Sequence, residues 1–125
     1  MSKRRRHSEV RLSANEIEFA DAYLDLANEE AHLSAYMKFA DSDSSEERFK
    51  LVMSVVQRAQ LPEHEEALGL LGAGPMEDLM SDWLLDRLKD YLPFSQELRH
   101  CLSSVRMDVE PEPLRERLLR MRGVH

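Results

Sequence analysis

The sequence predicts an all-α fold: a compact orthogonal bundle of about five to six short helices in a single domain. Three observations carry that prediction. Apolar residues recur at three- and four-residue steps along most of the chain, which is the period of a helix with one buried face. Two Ser-x-x-Glu runs, Ser13–Glu16 and Ser44–Glu47, have the form of capping boxes at helix starts. Only four Gly and five Pro interrupt 125 residues, too few for a turn-rich all-β domain, and no β-like alternation competes.

The elements follow in order. Residues 1–12 show no usable period and read as a mobile basic arm, with residues 13–122 as the helical domain. From the Ser13 cap, Ile17, Ala20, Leu24, Ala27 and Ala31 fall on one helical face. Around Glu29–Phe39 the pattern is more even, and Tyr36 and Phe39 are expected to anchor a second helix or an extension of the first. The next helix carries the stripe Phe49, Val52, Met53, Val56 and Ala59, and Pro62 closes it. A short helix from about Glu63 to Leu71 leads to Gly72-Ala73-Gly74-Pro75.

The strongest pattern runs from Met76 to Leu92, with Met76, Leu79, Met80, Trp83, Leu84 and Leu88 on its apolar side; Trp83 is expected in the core. Pro93 ends it. Phe94, Leu98, Cys101, Leu102 and Val105 mark another helix. Asp108–Pro113 is an acidic, proline-containing linker, after which Leu114, Leu118 and Met121 form the face of a last helix ending at Gly123.

The glycine pair is read as a tight turn between two helices. Gly72 would be a left-handed stop, Gly74 would sit near the next cap, and Pro75 would take the first helical position, where its missing N–H costs nothing. A phosphate loop is the competing idea, because helix N-termini offer amides to anions. Pro75 has no amide to offer, however, and Glu77 and Asp78 already place negative charge in the first turn. The lysine of a P-loop and the full dinucleotide fingerprint are missing.

Charge is laid out unevenly. Residues 1–12 carry five basic and one acidic side chain, residues 13–113 eight and 22, and residues 114–125 four and one, for a net −7. An acidic body repels a phosphate backbone and attracts basic partners. Nucleic acid is thereby disfavoured, except through the basic ends, Lys3–Arg6 and Arg115–Arg122. No stretch approaches the roughly 20 apolar residues that span a bilayer, and no apolar run follows Lys3–Arg6 to make a secretory signal. A lone cysteine, Cys101, fits a reducing cytoplasm and is expected to act as a small buried hydrophobe.

Leu70-Leu71-Gly72-Ala73-Gly74-Pro75-Met76-Glu77-Asp78-Leu79 resembles the signature of a family of small bacterial helical domains of unknown function, whose core reads L-G-A-G-P-[LM]-E-D-L. Glu65, Glu66, Ala67 and Leu68 just upstream also fit. The resemblance implies a helical fold and brings no activity, cofactor or catalytic residue.

Two Glu-x-x-His pairs, Glu29/His32 and Glu97/His100, have the spacing that places two ligands on one helix face, as in di-iron bundles. They define one functional alternative, a small di-metal oxidoreductase. A second alternative is a nucleic-acid accessory protein working through its basic ends. The leading expectation is neither: a non-enzymatic interaction or regulatory module, immunity-like in kind, that binds a basic protein partner and uses no metal or cofactor. Its expected working surface is the acidic row Asp82, Asp86 and Asp90, which recurs opposite an apolar stripe.

Overall fold

A computed structural model describes residues 11–124, and the expected basic arm lies outside them apart from Arg11 and Leu12. The described residues are helical, with no strand among them. Eight α segments follow in order: α1 (Ala14–Leu24), α2 (Glu29–Asp41), α3 (Ser45–Arg58), α4 (Glu65–Leu71), α5 (Glu77–Leu79), α6 (Asp82–Leu88), α7 (Gln96–Ser103) and α8 (Glu112–Arg122). Because α4 and α5 join through a helical turn, they form one rod, and the described chain has seven rods rather than the five to six expected.

Helix α3 is the centre. Every residue from Leu51 to Val56 is buried, so the helix meets neighbours on several sides, with α1 as its main partner. All five residues of its expected stripe are buried, as are all five of the Phe94–Val105 stripe that spans α7 and Leu114, Leu118 and Met121 of α8.

The caps explain where helices begin. Ser13 Oγ accepts from the Glu16 amide at 3.1 Å while Glu16 Oε1 accepts from the Ser13 amide at 2.8 Å, a complete capping box. At Ser44 only half of the box forms, because the Glu47 carboxylate accepts from Ser42 Oγ instead.

Three expectations are corrected. The first concerns α1, which stops at Leu24 instead of running on to Ala31. Asn28 caps a new helix by accepting from the Ala31 amide at 3.1 Å, and the break re-aims the chain. The buried face is then Phe19, Ala20, Tyr23 and Leu24, while Ala27 is exposed.

The second concerns Gly72, Gly74 and Pro75, which form no turn. Gly72–Met76 is a π-helical turn that carries α4 straight into α5, and no glycine among the described residues has positive φ. The widened turn is the physical answer to Pro75, which lacks an N–H and crowds the preceding carbonyls of an α-helix. Glu77 N–H reaches back five residues to the Gly72 carbonyl. Gly72 is required for a different reason: a Cβ there would lie 1.9 Å from the Cys101 carbonyl oxygen on α7. The glycine lets two helix backbones touch. At Gly74 a Cβ would meet nothing within 4 Å.

The third concerns Met76–Leu92, which breaks at Met80–Ser81. The Ser81 hydroxyl donates to the Leu79 carbonyl at 3.0 Å and accepts from the Leu84 amide at 3.2 Å, ending one helix and capping the next. A 3-10 turn, Lys89–Tyr91, then closes α6 before Pro93.

Candidate functional site

The expected acidic row lies on α6 and the turn after it. Asp82, Asp86 and Asp90 are all exposed, yet two of them are already held. Arg117 of α8 places Nη1 3.0 Å from Asp82 Oδ1 and Nη2 2.5 Å from Asp86 Oδ1. The Arg117 hydrogen bond lowers the Asp86 pKa below its ordinary value, and the same bond raises that of Arg117. The row therefore works as a staple between α6 and α8, and only Asp90 stands outside it.

Neither Glu-x-x-His pair forms a ligand cluster. His32 Nδ1 lies 2.6 Å from the Tyr23 carbonyl, with its ring centroid 4.4 Å from that of Tyr23 and tilted 51° to it. His100 Nε2 lies 3.0 Å from the Glu65 carbonyl, tying α7 to the start of α4. Both rings thus serve as struts between elements. No group of three or more His, Cys, Asp or Glu among the described residues is placed to hold a metal ion. Cys101 is buried, and burial pushes its thiol up to about 12, which keeps it un-ionised and a poor nucleophile near neutrality.

Two surfaces that patterning missed stand out. On α2, Ala35 and Phe39 turn inward, and the helix packs chiefly on α1. Its other side carries Leu33, Tyr36 and Met37, which are 58%, 37% and 49% exposed. At spacings of three and four residues these three share one face. Glu29 and Glu30 lie at one end of that face, Asp41 and Asp43 at the other, all exposed. None of these four carboxylates is in an ion pair among the described residues. A shallow groove lined by Met37, Lys38, Asp41, Asp43 and Glu47, with three serines, continues from the C-terminal end. Tyr36, expected as an anchor, is thus part of an outward stripe, and only Phe39 is buried. The sequence signal was the evenness of Glu29–Phe39: apolar residues on two faces blur a one-face pattern.

The second surface gathers around Trp83. At 37% exposure it leaves the core expected of it. Its ring meets that of Phe49 edge-on at 6.0 Å, and the Arg87 guanidinium sits 4.6 Å from the Phe49 ring and 5.5 Å from the Trp83 ring. Glu46 of α3 pairs with Arg87, a bond that lowers the carboxyl and raises the guanidinium. Beside this cluster lies a groove of about 480 Å³, between the start of α1, one flank of α3 and the end of α6.

The class defined by these observations is an all-helical body with exposed apolar and charged surfaces. None of its described helices is long and apolar enough to cross a membrane. Comparison with family models, with curated proteins and with solved structures gives no match to this chain.

Proposed function

We propose that the chain is a non-enzymatic interaction module that binds a basic, amphipathic helical segment of a partner protein along the outer face of α2. The observation that carries this reading is the stripe Leu33–Tyr36–Met37 set between two pairs of carboxylates. A surface helix normally spends its apolar residues on the core, so a second apolar face calls for a partner. A helix laid on this stripe would bury its own apolar face there and bring basic residues to Glu29/Glu30 and Asp41/Asp43. A second copy of the chain is disfavoured, because antiparallel pairing of two α2 faces would set acidic ends against acidic ends.

This reading keeps the basic partner expected from the acidic composition but moves the working surface from α6 to α2. A cytoplasmic setting and kinship with small bacterial helical domains remain compatible with it. The test is a synthetic peptide of about 18 residues, a length of about 27 Å, with Leu and Lys in helical register, followed by amide NMR. The Lys peptide is expected to shift α2 amides saturably. A Leu33→Ser/Met37→Ser variant should bind about ten-fold more weakly, in line with loss of two anchors. The same peptide with Glu for Lys should not bind. Shifts centred elsewhere, or equal binding of both peptides, would overturn the reading.

A further inference from the structure

We propose that the groove lined by Phe49, Met53 and Arg87 is a binding site for a small organic acid, a single carboxylate on an aromatic or branched apolar body. Its volume of about 480 Å³ lies in the range of small-molecule sites, about 300–1,000 Å³. Phe49 and Met53 of α3 supply apolar wall, and both are otherwise buried side chains that open onto this space. The rim reverses the charge balance of the chain. Arg11, Lys50 and Arg87 line it against one carboxylate, Glu16, in a protein of net charge −7.

That carboxylate is committed, since Glu16 Oε1 accepts the Ser13 amide in the α1 cap. Arg87 is held in place by its stacking on Phe49 and by Glu46, which is not among the residues that line the groove. Its guanidinium is therefore pre-set at the apolar wall, the arrangement that lets one ligand meet a ring with its body and a cation with its carboxylate. The exposed Arg11 and Lys50 add attraction at the entrance. A neutral apolar ligand would forgo that attraction, and a basic one would be repelled.

The experiment uses 2-naphthoate and its neutral counterpart 2-naphthylmethanol as probes of the full chain, read by amide NMR. Naphthoate is expected to shift the amides of Ser13, Phe49, Met53 and Arg87 saturably. The alcohol should bind about ten-fold more weakly, as should naphthoate to an Arg11→Ala/Lys50→Ala variant, the scale of a charge-assisted contact. Met53→Trp, which fills the groove, should remove binding; if that variant does not fold, the exposed double variant decides. Equal binding of acid and alcohol, shifts outside the groove, or no saturation at about 10 mM, well beyond a millimolar Kd, would each overturn the proposal. The α2 surface plays no part in this test, so the two readings fail separately.

Discussion

Gly72→Ala should be among the most damaging single-methyl additions available to this chain. The new Cβ would sit 1.9 Å from the Cys101 carbonyl oxygen, and 2.9 Å from both the Cys101 carbonyl carbon and Ser104 Cβ. Since the closest atoms are backbone, no rotamer change relieves the overlap. Ordinary contact begins near 3.4 Å, so the α4–α5 rod and α7 must separate by roughly 1–1.5 Å at a close-packed seam. The seam is flanked by Leu68, Leu71, Met76, Leu98 and Leu102, all buried at 2% exposure or less. Opening it costs at the upper end of overpacking, about 3 kcal/mol. Ala's better helix propensity returns at most about 1 kcal/mol. The net loss of about 2 kcal/mol corresponds to a fall in Tm of roughly 6–12 °C for a domain of this size. Gly74→Ala is the internal control: helical backbone and empty surroundings predict no loss, or a gain of up to about 1 kcal/mol. Thermal melts followed by circular dichroism at the helix band decide it. If Gly72→Ala melts with or above Gly74→Ala, the close approach of α7 is wrong.

Two further predictions concern the arginines. Arg99 donates to the carbonyls of Phe94, Arg122 and Val124, at 3.2, 2.7 and 2.8 Å, so it closes the C-terminal end of α8. Arg99→Ala should cost about 1–2 kcal/mol and speed amide exchange in the last turn of α8 while α3 stays protected; uniform loss of protection would contradict a local clamp. Stability should also depend on acid pH. The Asp86 and Glu46 carboxyls are held below their ordinary values of 3.8 and 4.5 by Arg117 and Arg87. Their contribution is therefore complete above those values and is lost below them, as the pH falls through the lowered values of the folded state. Asp86→Asn should flatten the acid limb of a stability-against-pH curve, most visibly at low salt, and parallel curves for variant and wild type would remove Arg117 from the account.

The sequence was most legible where one helix face alone is apolar. In and beside α7, Phe94, Leu98, Cys101, Leu102 and Val105 follow the period and all are buried. In α8, Leu114, Leu118 and Met121 do the same. Legibility failed where two periodic segments abut. The stripe from Ile17 to Ala31 remained in phase by coincidence across the Asp25–Asn28 break, which hid the end of α1. Likewise Ser81 reads as one polar residue inside a helical pattern, and its capping role shows only through the Leu79 and Leu84 contacts. At Gly72–Pro75 the residues of a turn were read as a turn, because a helix that widens around proline leaves no separate mark in the sequence. The need for Gly72 lies on α7, 29 positions further along, and local chemistry cannot reveal it.

The same limit governs the acidic surface. A charge row is visible in sequence; whether its charges are already answered is not. Arg58 meets Asp21, Arg87 meets Glu46, Arg106 meets Glu77, and Arg117 meets Asp82 and Asp86, so each arginine joins elements far apart along the chain. Exposed pairs of this kind are individually worth little, typically about 0–1 kcal/mol. Their effect is on direction: they fix how α1, α5, α6 and α8 face their neighbours, and they give those exposed carboxylates a partner within the chain. The carboxylates of α2 have no such arginine among the described residues, although Arg48 reaches the Ala40 carbonyl at its C-terminal end, 3.1 Å away. Where acid is left unanswered, the apolar residues are left uncovered as well. That coincidence of unspent charge and unspent apolar area on one helix face, rather than the acidity of the chain as a whole, is the ground on which we propose α2 ahead of α6 as the seat of a basic helical partner.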